Sequence, residues 1–76
     1  MTAVLFDADR LLLEIAVPVA ELPLAQAWLL RGDGSIYQRL QLTAPYLLDC
    51  SFLPPGRWFV RLESPGHVIV NRFETH

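Results

Sequence analysis

One cysteine and two histidines are the side chains from which a nucleophilic catalyst could be built in this chain of 76 residues. Cys50 follows an aspartate, and either His67 or His76 could act as its base. A lone cysteine at an inward phase of a strand, however, is usually a small buried hydrophobe whose thiol pKa is raised. The sequence also contains none of the nucleophile-elbow, P-loop or dinucleotide-binding patterns. We therefore predict that the protein is not an enzyme, with a thiol-dependent enzyme as an alternative.

Metal binding would use the soft or borderline side chains of the chain, which are Met1, Cys50, His67 and His76. They are far apart and never form the CxxC or HxxxH spacing that places two ligands on one element. Two carboxylates, Asp7 and Asp9, lie close together near the start, but this pair lacks the further oxygen ligands that calcium requires and is typical of a turn. The sequence therefore predicts neither a metal site nor a cofactor.

An aromatic and basic surface is the third candidate site. Four arginines fall in three strands that could be neighbours: Arg39, Arg57, Arg61 and Arg72. If those strands pair, an exposed face would form from Tyr37, Arg39, Phe59 and Arg61. Such a face could stack on nucleic acid or bind an acidic protein. The alternative is an ordinary outer sheet surface, in which the arginines pair across strands with Glu63 and Glu74.

The net charge and the apolar content limit the choice of partner. A net charge of −2 and a pI of about 5.5 argue against sequence-independent binding of nucleic acid, which requires a basic patch. The hydrophobic content of 53% is high for so small a domain, so part of the apolar surface is expected at an interface. We therefore expect a module that acts through protein–protein contact, with another protein or with a second copy in a homodimer.

The cysteine count and the N-terminal residues bear on location. A single cysteine allows no intramolecular disulfide, which favours a reducing compartment. Residues 1–10 hold acidic residues where a signal peptide would need basic ones, and the apolar stretches are too short to span a membrane. The sequence thus predicts no membrane span and a cytoplasmic location, or a periplasmic one if the chain is a fragment of an anchored protein.

The alternation of apolar and polar residues predicts a single all-β domain over residues 1–76, since a second core would leave each half too small to fold unaided. In residues 10–19 the side chains of Leu13, Ile15 and Val17 share one side, which indicates a half-buried strand. Residues 3–6 predict a short first strand. Residues 20–25 predict a connection that crosses between two sheets, and a short helix through residues 20–30 is the competing interpretation.

Three glycine-containing turns, with the sequences GDG, PPG and SPG, divide the rest of the chain. Residues 26–31 and 35–43 are predicted to form a hairpin around the first turn. Further strands are predicted over residues 46–52, 57–63 and 67–73. Six or seven strands with turns about every ten residues predict a small antiparallel β-sandwich of the immunoglobulin-like or transthyretin-like kind, with a small β-barrel as the alternative.

Residues 37–63 end in the run FLPPGRWFVRLE, in which a proline–glycine turn precedes an aromatic residue and an alternating strand. This order resembles the late hairpin of immunoglobulin-like bacterial modules, and it is similar to the FixH-like periplasmic domain tied to cytochrome oxidase maturation. It also looks like carboxypeptidase-regulatory-like modules and the sorting tails of secreted proteins. The resemblance covers about a third of the chain and implies a sandwich. The FixH likeness implies an accessory role in respiratory oxidase assembly, although the chain lacks that family's N-terminal membrane helix and shows no metal motif.

Overall fold

The computed structural model describes residues 2–76, and it consists of two antiparallel sheets packed face to face. The strands are β1 (Ala3–Asp7), β2 (Leu12–Ala16), β3 (Gln26–Arg31), β4 (Ile36–Leu40), β5 (Tyr46–Asp49), β6 (Gly56–Ser64) and β7 (His67–Thr75). One sheet has the order β1-β2-β5, and the other has the order β4-β3-β6-β7. The prediction of a small all-β sandwich is therefore confirmed, with seven strands in two separate sheets.

The core lies between the sheets and is filled by alternate side chains of the strands. In β6, for example, Trp58, Val60 and Leu62 are buried, whereas Arg57 and Arg61 point outward. The buried apolar residues are Val4, Leu13, Ile15, Val17, Ala27, Leu29, Leu40, Cys50, Trp58, Val60, Leu62 and Phe73. The period-two pattern of the sequence thus places one side of most strands towards the core and the other side outward, whereas in β4 Leu40 is the buried residue.

The first of three connections between the two sheets is a 3-10 helix, Val19–Leu24, that carries the chain from β2 to β3. The predicted strand over residues 10–19 is shorter than expected and ends at Ala16. Pro18 lies just before the helix and Pro23 lies within it, and neither residue has an N–H group to donate to a ladder. The predicted crossover is confirmed, and the competing helix through residues 20–30 is wrong because β3 begins at Gln26.

A second 3-10 helix, Cys50–Phe52, ends the strand that the sequence predicts over residues 46–52. The carboxylate of Asp49 accepts a hydrogen bond of 2.9 Å from the backbone N–H of Ser51, which turns the chain away from β2. As a result Cys50 is buried, but the side chain of Phe52 is 87% exposed instead of sharing the inward phase.

The terminal strands β1 and β7 run parallel to each other at one side of the sandwich, in different sheets. Asn71 Nδ2 donates a hydrogen bond of 3.0 Å to the carbonyl oxygen of Val4. Two residues further along both strands, the rings of Phe6 and Phe73 stack with their centroids 4.6 Å apart. These contacts close the sandwich where β1 and β7 share no backbone ladder.

Candidate functional site

The outer surface of the four-stranded sheet holds four of the six arginines of the chain around an apolar centre. The strand register places Arg39, Trp28, Arg61 and Val70 side by side in one row across β4, β3, β6 and β7. The neighbouring row consists of Ile36, Leu30, Phe59 and Arg72. We call these eight residues the basic face. Because cross-strand neighbours on one face lie about 5 Å apart, the two rows form a continuous surface.

Three of the four residues predicted to form an interaction face, Arg39, Phe59 and Arg61, lie on the basic face. Tyr37 does not, because β4 has a bulge opposite β3 that gives it one extra residue there. The ring of Tyr37 instead lies edge-on to Trp58, with centroids 4.9 Å apart, and the Arg31 guanidinium lies 5.0 Å from its centroid. Tyr37 thus contacts a core residue at the end of the sandwich.

The charges of the basic face are mostly unpaired. Arg61 binds Glu63 of the same strand, with Nη2 at 2.7 Å and Nε at 2.8 Å from Oε2. Both side chains are partly exposed, so this ion pair contributes little to stability. Arg39 and Arg72 form no ion pair within residues 2–76. They lie on the two edge strands β4 and β7, so a free guanidinium stands at each side of the apolar centre.

The centre of the basic face is aromatic and aliphatic. Trp28, Leu30 and Phe59 are half-buried on the two middle strands. Val70 on β7 is 52% exposed, and Val68 next to it is 63% exposed. Arginines beside aromatic residues are enriched in protein–protein contact surfaces. Trp28 and Leu30 were not among the predicted residues, although their outward phase on β3 could have indicated them once β3 was placed between β4 and β6.

The outer surface of the three-stranded sheet has the opposite charge. One row across β1, β2 and β5 consists of Leu5, Glu14 and Leu47, and the next consists of Asp7, Leu12 and Asp49. We call these six residues the acidic face; the outward positions of its strands hold no basic residue. Hydrogen bonds from the Ser51 hydroxyl and backbone N–H lower the pKa of Asp49, which keeps this carboxylate ionised. Glu14 forms no hydrogen bond or ion pair through its side chain within residues 2–76.

The paired carboxylates near the start of the chain form a turn, as the sequence predicts. Asp7 Oδ1 accepts hydrogen bonds of 3.0 and 3.2 Å from the backbone N–H groups of Asp9 and Arg10. The Arg10 Nε atom lies 3.8 Å from Asp7 Oδ2. In the described part of the chain, no three His, Cys, Asp or Glu side chains are grouped so that they could hold a metal ion. Met1, which the sequence analysis considers as a ligand, lies outside the described residues.

The chemistry of Cys50 is that of a core residue. Its side chain is fully buried, and its Sγ atom lies 3.7 Å from the Leu48 carbonyl oxygen. Burial, together with the negative charge of Asp49, raises the pKa of the thiol to about 11. His67 and His76, by contrast, are exposed on β7 and at the end of the chain. The predicted state of Cys50, a buried residue with a raised pKa, is confirmed.

An open cleft of about 470 Å³ lies where β1 and β7 face each other. Its apolar walls include Leu13, Val60 and Phe73, and its polar groups, such as Asn71 and Glu74, are exposed. Arg72 and His76 also line the cleft, and both are exposed.

Comparison of the chain with protein-family models, with curated proteins and with solved structures finds no match. Within residues 2–76 we find no helix that is long and apolar enough to cross a membrane.

Proposed function

We propose that this protein is a non-enzymatic β-sandwich module that binds another protein through the basic face. The observation that carries the proposal is the apolar centre around Trp28 and Phe59, which stands between the unpaired guanidinium groups of Arg39 and Arg72. A partner that fits this surface presents a flat apolar centre with carboxylates at its sides.

The energetics of such a contact follow from the exposed residues. Burying the half-exposed rings of Trp28 and Phe59 removes apolar surface from water, and each Å² that is removed contributes about 25 cal/mol to the binding free energy. Arginine and aromatic residues are also the types that contribute most to binding energy in protein interfaces. Each guanidinium gains a charge-assisted hydrogen bond if the partner supplies a carboxylate.

An acidic protein fits this surface better than nucleic acid does. Binding to a phosphate backbone draws its affinity from several phosphate contacts, whereas Arg39 and Arg72 are the two arginines of the basic face without an ion pair in the described residues. The whole chain carries a net charge of −2, which opposes long-range attraction to a polyanion.

The state of Cys50 argues against the alternative of a thiol-dependent enzyme. A thiol whose pKa is about 11 is almost entirely protonated at neutral pH, and its burial keeps substrates away from the sulfur. Neither histidine forms a hydrogen bond with the sulfur in the described structure.

The strand order supports an immunoglobulin-like classification as part of this proposal. If β1 to β7 are lettered A, B, C, C′, E, F and G, the sheets read A-B-E and C′-C-F-G, which is the arrangement of immunoglobulin-like sandwiches with strand C′ beside C. Trp28 on strand C points outward, however, and the single cysteine leaves no B–F disulfide. Because a fold does not determine a function, the proposal depends on the basic face. The FixH-like role and the cellular location stay predictions.

Selection of peptides from a random phage-displayed library tests the proposal. The wild-type protein is the bait, and the double variant Arg39→Glu/Arg72→Glu reverses the two unpaired charges of the basic face. Arg10→Glu is the control, because it reverses one arginine charge on an exposed turn outside that face. We expect the wild type and the control to select peptides in which Asp or Glu alternates with apolar residues, and the double variant to lose them.

Two results would overturn the proposal. One is a selection without enrichment of acidic residues. The other is equal binding of the selected peptides by the wild type and the double variant. Binding of single-stranded RNA can be measured by fluorescence anisotropy of a labelled oligonucleotide. Preferential binding of RNA through the same arginines would show that the partner is a nucleic acid and not a protein.

A further inference from the structure

The acidic face of this same chain has the chemistry that the basic face requires of a partner. Glu14 stands between two exposed leucines, Leu5 at 60% and Leu47 at 56% exposure. We propose that copies of the protein associate head to tail, with the acidic face of one copy on the basic face of the next. This inference rests on the proposed function and names a second copy of the chain as a partner.

Charge disfavours the symmetrical alternatives. The outward positions of the four-stranded sheet carry four arginines and two glutamates, whereas those of the three-stranded sheet carry three carboxylates. A two-fold dimer through the basic face would bring arginines together, and one through the acidic face would bring carboxylates together. Like charges in an interface cost several kcal/mol, so the contact between unlike faces is the more favourable one.

The dimensions of the two faces agree with this contact. Arg39 and Arg72 lie three strand spacings and one row apart, or about 16 Å, and Asp7 and Asp49 lie two spacings apart in one row, or about 10 Å. The reach of an arginine side chain covers the difference. In the contact, Glu14 lies within reach of Arg61, and the exposed Leu5 and Leu47 on either side of it meet the apolar residues of the basic face.

The acidic face is small, and this sets the strength of the contact. Three strands of four or five residues span roughly 14 by 17 Å, which is well below the roughly 800 Å² per partner of a standard stable interface. The association is therefore weak, reversible and dependent on concentration. Because each copy keeps one free face of each kind, it proceeds stepwise instead of stopping at a dimer.

Sedimentation equilibrium of two complementary variants tests the inference. Arg39→Glu/Arg72→Glu reverses the two unpaired charges of the basic face and keeps the acidic face, and Glu14→Arg reverses the central charge of the acidic face and keeps the basic face. Glu14→Gln is a milder second variant that removes the charge with little change in size. Glu21→Arg, on the 3-10 helix Val19–Leu24, is the matched control outside both faces. Circular dichroism of each variant verifies that it is folded.

We expect the wild type and Glu21→Arg to associate at low ionic strength and to dissociate at high salt, where the Debye length shortens to a few ångströms. Each face variant alone should associate at least about tenfold more weakly. An equal mixture of the two face variants should associate more strongly than either variant alone, because the acidic face of the arginine variant then meets the intact basic face of Glu14→Arg.

Three results would overturn the inference: a wild type that stays monomeric at millimolar concentration and low salt, a dimer of Glu14→Arg alone, or a dimer of the arginine variant alone. The peptide selection distinguishes this failure from failure of the proposed function. If the wild type is monomeric but still selects acidic peptides, self-association is refuted and the binding function stands.

Discussion

Raising the pH above 9 should destabilise the fold through Cys50. The buried thiol has a pKa of about 11 in the folded protein, against an ordinary value of 9.0 that applies to the unfolded chain. Below pH 9 the thiol is protonated in both states, and its stabilising effect is fully present. Between pH 9 and 11 the unfolded chain loses the proton first, so the free energy of unfolding falls as the pH rises.

The size of the effect follows from the difference between the two pKa values. Two units correspond to about 2.7 kcal/mol over the whole range, of which about 2 kcal/mol is lost by about pH 10.5. A domain of this size has a stability of only a few kcal/mol, so the loss is a large part of the total.

Urea unfolding of the wild type and of Cys50→Ala, followed by tryptophan fluorescence, measures this effect. At neutral pH the variant should be about 1 kcal/mol less stable, because it leaves a small void in the core. The difference should vanish and then reverse as the pH rises, so that the variant is the more stable protein by about pH 10.5. The pKa of Tyr46 is raised chiefly by burial. Because Tyr46 is present in both proteins, its contribution largely cancels in the difference between their free energies of unfolding.

A difference that stays constant from about pH 8 to about pH 10.5 would refute the reasoning, since it would mean that the thiol titrates equally in both states. Iodoacetamide gives a second measurement. The folded wild type should resist alkylation at about pH 8 and react as fast as a free thiol in urea. Rapid alkylation of the folded protein would contradict the buried position of Cys50 and favour the thiol-dependent enzyme.

Two further predictions concern the core and one buried hydrogen bond. Leu62→Ala should lower the free energy of unfolding, measured in urea, by about 2–5 kcal/mol, because it opens a cavity between the sheets. Val70→Ala on the outer surface should lower it by less than about 1 kcal/mol. Equal losses in the two variants would contradict the assignment of Leu62 to the core side of the sheet and Val70 to the outer side. Thr75→Val should cost about 1 kcal/mol, because the buried Thr75 hydroxyl donates to the Pro54 carbonyl at 2.9 Å. Thr43→Val, which removes an exposed hydroxyl, is the control. If it lowers the free energy of unfolding as much as Thr75→Val does, the buried hydrogen bond has no special role.

The fold could largely be predicted because two local signals agree over most of the chain. Apolar residues alternate, and glycines stand where the backbone needs a positive φ, as at Gly34 with +89° and Gly66 with +76°. The errors occur where alternation continues past the end of a strand. Phe52 keeps the phase of Leu48, but the Asp49 carboxylate captures a backbone N–H and turns the chain. The alternation of apolar and polar residues does not reveal where a side chain competes with the sheet for a backbone N–H group.

The candidate surface could be predicted only in part, because it depends on strand register. A bulge of one residue removes Tyr37 from the basic face, and nothing in the spacing of β4 reveals the extra residue. The acidic face was missed altogether. Asp7, Glu14 and Asp49 become neighbours only because β2 lies between β1 and β5, which is a long-range pairing that single-strand patterns do not contain.

The parallel course of β1 and β7 has a mechanical consequence. A force that pulls Ala3 and Thr75 apart acts along the strands, because these residues lie towards opposite ends of the sandwich. Such a load shears the ladder between β1 and β2, so its backbone hydrogen bonds, which lie across the direction of pull, resist together instead of opening one after another. A string of these domains under tension would therefore yield abruptly, domain by domain, and not by gradual peeling.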